Sequence, residues 1–229
     1  MTRPRALLSW SSGKDSAWAL HVLRSQGEVE VVGLLTTFNS HFARVAMHAV
    51  REELVRRQAA SVGLPLWPVD LPWPCPNEAY EAAMSEALDR ALAEGITHVA
   101  FGDLFLEDIR SYREKQLGST GIRPLFPLWG ADTRKLASAM IRAGQRAMIV
   151  CVDPTKLASE FAGREFDEAF LADLPEGVDP CGENGEFHTF AWQGPAFRAK
   201  VPVVRGAVVE RDGFVFADVL PVESETVPA

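Results

Sequence analysis

Short apolar runs alternate with amphipathic stretches along this chain, and the alternation predicts an α/β fold. Residues 6–8 (Ala-Leu-Leu) read as a buried strand, and residues 17–23 carry a helical pattern. Residues 29–37 are apolar and β-branched, which suits a central strand. A helix with a charged outer face is predicted over 47–62, stopped by Gly63 and Pro65. A third strand follows at 66–71, a stiff proline-rich connector at 72–76, and a helix from Asn77, as its N-cap, to about Glu94. Residues 98–101 make a short fourth strand. A charge-dense run covers 104–115. Residues 123–130, with two prolines, hold only a short strand. Asp132 or Thr133 caps a further helix to about Ala143, and 147–152 is the most convincing core strand of the second half. Short helices are expected over 153–174. After a turn-rich hinge at 175–180 the pattern becomes β-rich, with Asp212-Gly213 as a hairpin turn.

Repeated strand–helix alternation predicts a doubly wound, mostly parallel sheet covered on both faces. The division expected from the pattern is an α/β domain over 1–174 and a C-terminal segment over 175–229 with a β-rich appendage. That appendage either caps the sheet or pairs with a second copy in a homodimer.

Composition narrows the function classes. The chain has 229 residues, 47% hydrophobic, with a net charge of −8. An acidic chain lacks the basic face that general nucleic-acid binding needs. Three widely spaced cysteines, Cys75, Cys151 and Cys181, form neither a disulfide framework nor a zinc pair. No apolar stretch reaches the length of a membrane span, and the expected setting is cytoplasmic.

Two stretches carry candidate chemistry. The first is Ser11-Ser12-Gly13-Lys14-Asp15-Ser16, between the opening strand and the first helix. Small residues let backbone amides approach an anion, the helix dipole favours negative charge, and Lys14 adds a cation. It is not a Walker A loop, because Asp15 follows Gly13-Lys14 and Leu8 stands where the first glycine belongs. A serine-rich cap after a buried strand would look much the same. The second stretch is Gly182-Glu183-Asn184-Gly185-Glu186-Phe187-His188-Thr189. If extended, it puts Glu186 and His188 on one face and Phe187 and Thr189 on the other. Glu186 and His188 would then be a polar pair able to bind an amine or magnesium, or to relay a proton. Between these stretches, Thr36 and Gly102-Asp103 follow strand ends, where open α/β sheets bind ligands. Arg110 and Arg113 share a helix face, as an ion-paired surface or as a clamp for phosphate or carboxylate. Arg44 and His48 fall near the same sheet edge and are candidates for reading the substrate.

The first stretch resembles the PP-loop, S-G-G-x-D-S, of the N-type ATP pyrophosphatases, with Ser12 in place of the first glycine. Taken with Gly102-Asp103, Asp108-Ile109-Arg110, Arg113, Pro124-Leu125-Phe126-Pro127-Leu128-Trp129 and the segment from Gly182 to Thr189, the order of motifs resembles the diphthine–ammonia ligase family. The resemblance implies an adenine-nucleotide α-hydrolase-like fold, with three α/β/α layers. It implies an enzyme that adenylates a carboxylate with Mg-ATP, releases pyrophosphate, and lets ammonia displace AMP. In that scheme Ser11, Ser12, Gly13, Lys14 and Ser16 hold the departing pyrophosphate, Asp15 binds Mg2+, and Thr36 borders the adenosine. Gly102, Asp103, Asp108, Arg110 and Arg113 order phosphates or substrate, and Glu183, Glu186 and His188 lie near the acyl centre. The substrate is a carboxylate on a protein or a small molecule. Two other readings share the loop: a nucleotide sensor of the universal-stress-protein type, and a tRNA-modifying ATP pyrophosphatase.

Overall fold

The computed structural model describes residues 2–41, 44–45 and 50–222. The elements in chain order are β1 (Arg5–Ser9), α1 (Lys14–Gln26), β2 (Glu30–Asn39), β3 (Arg44–Val45), α2 (Glu52–Val62), β4 (Leu66–Leu71), α3 (Asn77–Ala93) and β5 (His98–Ala100). The second half adds α4 (Glu107–Leu117), β6 (Arg123–Leu125), α5 (Thr133–Arg142), β7 (Arg146–Val152), α6 (Glu168–Asp173), β8 (Phe187–Gln193), β9 (Val203–Arg211) and β10 (Phe214–Pro221).

The first six strands form one sheet. Its parallel members lie in the order β4-β2-β1-β5-β6, and β3 pairs antiparallel with the end of β2. Strand direction alternates the burial. Ala6 and Leu8 of β1 and Leu34 of β2 join the core under α1, α2 and α5, whereas Leu7 and Leu35 join a second core with Leu88 and Ala91 of α3 and Leu117 of α4. This is the three-layer α/β/α arrangement. The left-handed Gly27 and Gly63 end α1 and α2. Asp132 caps α5 by accepting from Lys135 N at 3.0 Å. The N-cap of α3 is Pro76, not Asn77.

The strand over 146–152 does not extend this sheet. It lies in a second, antiparallel sheet ordered β8-β7-β10-β9. Periodicity identifies a strand but not its sheet, and the antiparallel partners of β7 come from far along the chain. Asp212 and Gly213 both take positive φ, +53° and +80°, as a two-residue hairpin between β9 and β10 requires. The second sheet packs on the first through a shared core that holds Leu20, Leu54, Ile149, Phe187, Phe190 and Val215 together. Its far edge, β9, leaves Val204, Val208 and Val209 about half exposed.

The strand order reverses between β1 and β5. A doubly wound sheet opens a crevice at such a point, at the carboxyl ends of the strands. The loops leaving β1 and β5 carry Ser11 to Gly13 and Gly102-Asp103 respectively. No helix among the described residues is long and apolar enough to cross a membrane.

Candidate active site

The loop after β1 turns sharply at Ser12, which is buried and takes φ +70°. A left-handed conformation costs a non-glycine residue about 1–2 kcal/mol. The PP-loop pattern has glycine at this position, a residue that reaches positive φ without that cost. Its Oγ is buried with no hydrogen-bond partner. Its carbonyl accepts from Ala191 N at 2.9 Å and from Gln58 Nε2 at 3.0 Å.

Lys14 opens α1 and is only 2% exposed. Its ammonium donates to Asp15 Oδ2 at 2.9 Å and to the Cys181 carbonyl. It lies 5.5 Å and 5.3 Å from the ring centres of Phe166 and Phe187. Burial is the largest single influence on the Lys14 pKa and works to lower it, but Asp15, Cys181 and Glu183 together act the other way, and the net direction is upward. The ammonium therefore stays charged. The backbone of Lys14 is held from the second sheet's side: its N–H donates to Thr189 Oγ1 at 3.0 Å, and its carbonyl accepts from Gln145 Nε2 at 2.8 Å.

Around this ammonium lies a polar cavity of about 220 Å³. It is lined by Ser11, Lys14, Asp15 and Ser16 from the loop and helix, by Gly102, Asp103 and Arg113, and by Gly182, Glu183, His188 and Thr189. Sequence positions more than 160 residues apart thus face one space. Gly102 allows the close approach: a Cβ there would sit 3.1 Å from Asp15 C and 3.2 Å from Ser16 N. Glu183 accepts from Leu104 N at 2.7 Å. Burial raises its carboxyl pKa to about 7, with Asp15 and Asp103 adding to the rise and the Leu104 N–H opposing it. Burial lowers the His188 pKa to about 4, helped by the charges of Lys14 and Lys156, so the imidazole is neutral at pH 7.

A second cavity of about 260 Å³ adjoins the first and shares Ser9, Ser11, Phe101 and Arg113 with it. Its other walls are mostly apolar, including Trp10, Leu35, Met84 and Leu88. Arg113 stacks over Phe101 at 4.6 Å, and its Nε faces Asp103 Oδ2 at 3.5 Å, so it stands where the two cavities meet.

Several residues singled out in the sequence lie elsewhere. Thr36 is buried and donates to Trp10 O at 2.9 Å; Thr37, the next residue on the strand, lines the apolar cavity instead. A strand turns successive side chains to opposite faces, so these adjacent threonines point to different sides of the sheet. Arg110 and Arg113 separate. Arg110 pairs with Glu114 at 2.8 Å and packs over Phe126 and Trp129. Asp108 is exposed on the first turn of α4 and lines neither cavity. Glu186 precedes β8, and its Oε1 accepts from Asp179 N at 3.0 Å and Asn184 Nδ2 at 3.1 Å; it is absent from the polar cavity's wall, which His188 lines. Arg44 shares the Asp218 carboxylate with Arg51 and borders a different cavity of about 230 Å³ beside β10. His48 lies outside the described residues; the helix expected from residue 47 begins at Glu52, after Arg51 in extended conformation.

Two side chains that build the site have no motif to advertise them, Gln58 and Gln145, and the backbone carbonyl of Thr133 accepts from Cys181 Sγ at 3.4 Å. Glutamine inside a helix, as at Gln58, is compositionally ordinary, and only its complete burial marks it. Among the described residues no group of three or more His, Cys, Asp or Glu is arranged to hold a metal ion. Asp15 Oδ1, however, is buried without a hydrogen-bond partner while Oδ2 holds Lys14.

Residues 4–124 match the family model of the diphthamide synthase N-terminal domain, and residues 132–218 match that of the C-terminal domain. The chain is similar to the diphthine–ammonia ligase of Homo sapiens, at 30% identity over 135 residues, covering 55% of this chain and 49% of that protein. It is 33% identical over 103 residues to the diphthine–ammonia ligase of Danio rerio, covering 43% of this chain and 40% of that one. The Schizosaccharomyces pombe enzyme of the same name is 28% identical over 94 residues, which is 39% of this chain and 16% of that protein. The alignments to the vertebrate enzymes thus reach about half of their length or less. The loop–lysine site at the sheet's reversal point and the two consecutive model matches agree, and the chain belongs to the diphthamide synthase family.

Proposed function

We propose that this protein is an ATP-dependent ligase that adenylates a carboxylate and passes it to ammonia, releasing pyrophosphate and AMP. The relatives named above are ligases of diphthine and ammonia, and diphthine is the acid we assign to this chain. The observation that carries the reading is Lys14, a buried ammonium at a helix N-terminus, in a polar cavity that shares Ser9, Ser11, Phe101 and Arg113 with an apolar one. An adenine nucleotide has that same division, an aromatic base at one end and phosphates at the other. The apolar cavity takes the adenosine, and Lys14 with the Ser11–Ser16 loop takes the leaving pyrophosphate, offsetting the charge that develops on it. Arg113, at the junction, faces the α-phosphate, where the acid attacks.

The donor set fits magnesium. Mg2+ keeps several waters and phosphate oxygens and needs only one or two carboxylates, and the unpartnered Asp15 Oδ1 supplies one. Bound there, the ion would neutralise phosphate charge. Glu183, His188 and Asp103 supply the other polar wall, where ammonium is held and its proton removed. Nothing in the family matches favours a nucleotide sensor or a tRNA-modifying enzyme.

The test is product analysis. Purified protein with Mg-ATP, ammonium and a diphthine-bearing protein is expected to form AMP, pyrophosphate and an amide together. Release of ADP and phosphate, or turnover without amide, overturns the reading. If Glu183 handles the ammonium, kcat/KM rises as pH is raised through about 7, as its carboxyl ionises, and Glu183→Gln flattens that limb. An unchanged limb in the variant removes Glu183 from the role. The shift has a stability counterpart. The folded state keeps a proton that the unfolded chain gives up near 4.5, so Glu183's contribution is fully present below that pH and is lost as pH rises towards about 7.

A further inference from the structure

We infer that Gln58 is a positioning residue for the phosphate-binding loop, and that it works by holding Ser12 in its left-handed turn. The inference rests on the nucleotide reading above for its functional consequence. Gln58 is fully buried on α2, away from both cavities. Its side-chain amide is committed at both ends. Oε1 accepts from Trp10 Nε1 at 2.8 Å, and Nε2 donates to Ser12 O at 3.0 Å and to Ala191 O. An indole N–H only donates, so Trp10 fixes which end of the amide is oxygen and points the NH2 group at the loop. Ser12 O receives a second donor from Ala191 N at 2.9 Å. Two donors converging on one carbonyl fix the plane of the Ser12–Gly13 peptide, and with it the entry into α1 and Lys14.

The brace answers a departure in this sequence. The loop pattern has glycine where Ser12 stands, and glycine reaches positive φ without penalty. Serine does not, and its hydroxyl here is buried without a hydrogen bond that would compensate. The conformation is therefore imposed by neighbours, and Gln58 is the side chain that touches it from outside the loop. Gln58 also bonds the carbonyl of Ala191 on β8, so one buried amide ties α2, the loop and the second sheet together.

A double-mutant cycle tests this, using the full-length chain and Mg2+ with α,β-methylene-ATP as the probe. Gln58→Met keeps the volume and removes the hydrogen bonds. It is expected to weaken nucleotide binding about tenfold in the parent chain, the size set by losing a buried hydrogen bond. In the S12G background, where no left-handed strain needs holding, the same change is expected to cost about twofold or less. Equal losses in the two backgrounds, or no loss in either, overturn the inference. If the parent binds no nucleotide, the nucleotide reading falls, and the same four chains decide the brace by thermal melting. Q58M then lowers Tm less in the S12G background if Gln58 holds Ser12, and equally if it does not. Should Q58M alone not fold, the S12G/Q58M chain is expected to fold, and failure of both overturns the brace.

Discussion

Lys14→Met is expected to lower pyrophosphate release by about 10²–10³-fold while leaving the fold largely intact. The size follows from a single charged donor, itself only 2% exposed, placed where negative charge grows on a leaving group. The stability half follows from what surrounds the side chain. Lys14 lies against Phe166 and Phe187, surfaces that suit a methionine stem, and the displaced partners are Asp15, a quarter exposed, and one carbonyl. Removing one partner of a fully buried pair costs about 3–5 kcal/mol because the other charge is left uncompensated, but water already reaches the Asp15 side chain, so a smaller loss, of about 2 kcal/mol, is expected in urea unfolding. Lys14→Arg is not expected to recover turnover, because a guanidinium presents its donors in a rigid planar fork and not as the compact point charge that Asp15 and the Cys181 carbonyl hold here. Retention of more than a tenth of the parental rate in Lys14→Met would remove the ammonium from the chemistry.

Phe170→Ala is expected to be the most destabilising of the changes considered, at about 3–5 kcal/mol. Phe170 on α6 is completely buried and meets three other rings, with centroids 5.7 Å from Phe161, 5.7 Å from Phe166 and 5.2 Å from Phe187. Domains of this kind are stable by about 5–15 kcal/mol, so such a loss takes a fifth of the total or more. The cluster also carries function, because Phe166 and Phe187 are the two rings that flank the Lys14 ammonium. Phe170→Ala is thus expected to weaken nucleotide binding even at temperatures where the protein stays folded. Denaturant unfolding and nucleotide titration on the same sample separate the two effects. A stability loss below about 1 kcal/mol would mean that the aromatic cluster is not a packed unit.

The parallel sheet was legible because its strands are short apolar runs separated by helical patterns, and the loop at Ser11 to Ser16 because small residues, a lysine and a helix start coincide. The second sheet was less so. Residues 146–152 read as a strand, but their partners, Phe187–Gln193 and Phe214–Pro221, are recognised only once the chain has folded back. Within the site, period and spacing misled at single residues. Thr36 and Thr37 differ by one position and face opposite ways, and Arg110 and Arg113, one turn apart, pack against different aromatic groups. Glu186 has the right chemistry, but the turn formed by Asp179 to Asn184 captures its carboxylate. Gln58 and Gln145 gave no sign, since their importance lies in which backbone atoms they reach.

The bonds that converge on Ser12 and Lys14 bear on how this chain can be divided. Residues 4–124 and 132–218 match separate family models, which suggests two exchangeable modules. Yet Ser12 O, Lys14 N–H and Lys14 O each depend on a partner from the second half: Ala191, Thr189 and Gln145. Separated, the first half would lose both the shared core and the contacts that shape its loop. Recombination between relatives would therefore have to keep the seam around Gln58 and β8 matched. The two halves are modules in sequence, but for phosphate binding they inherit as one.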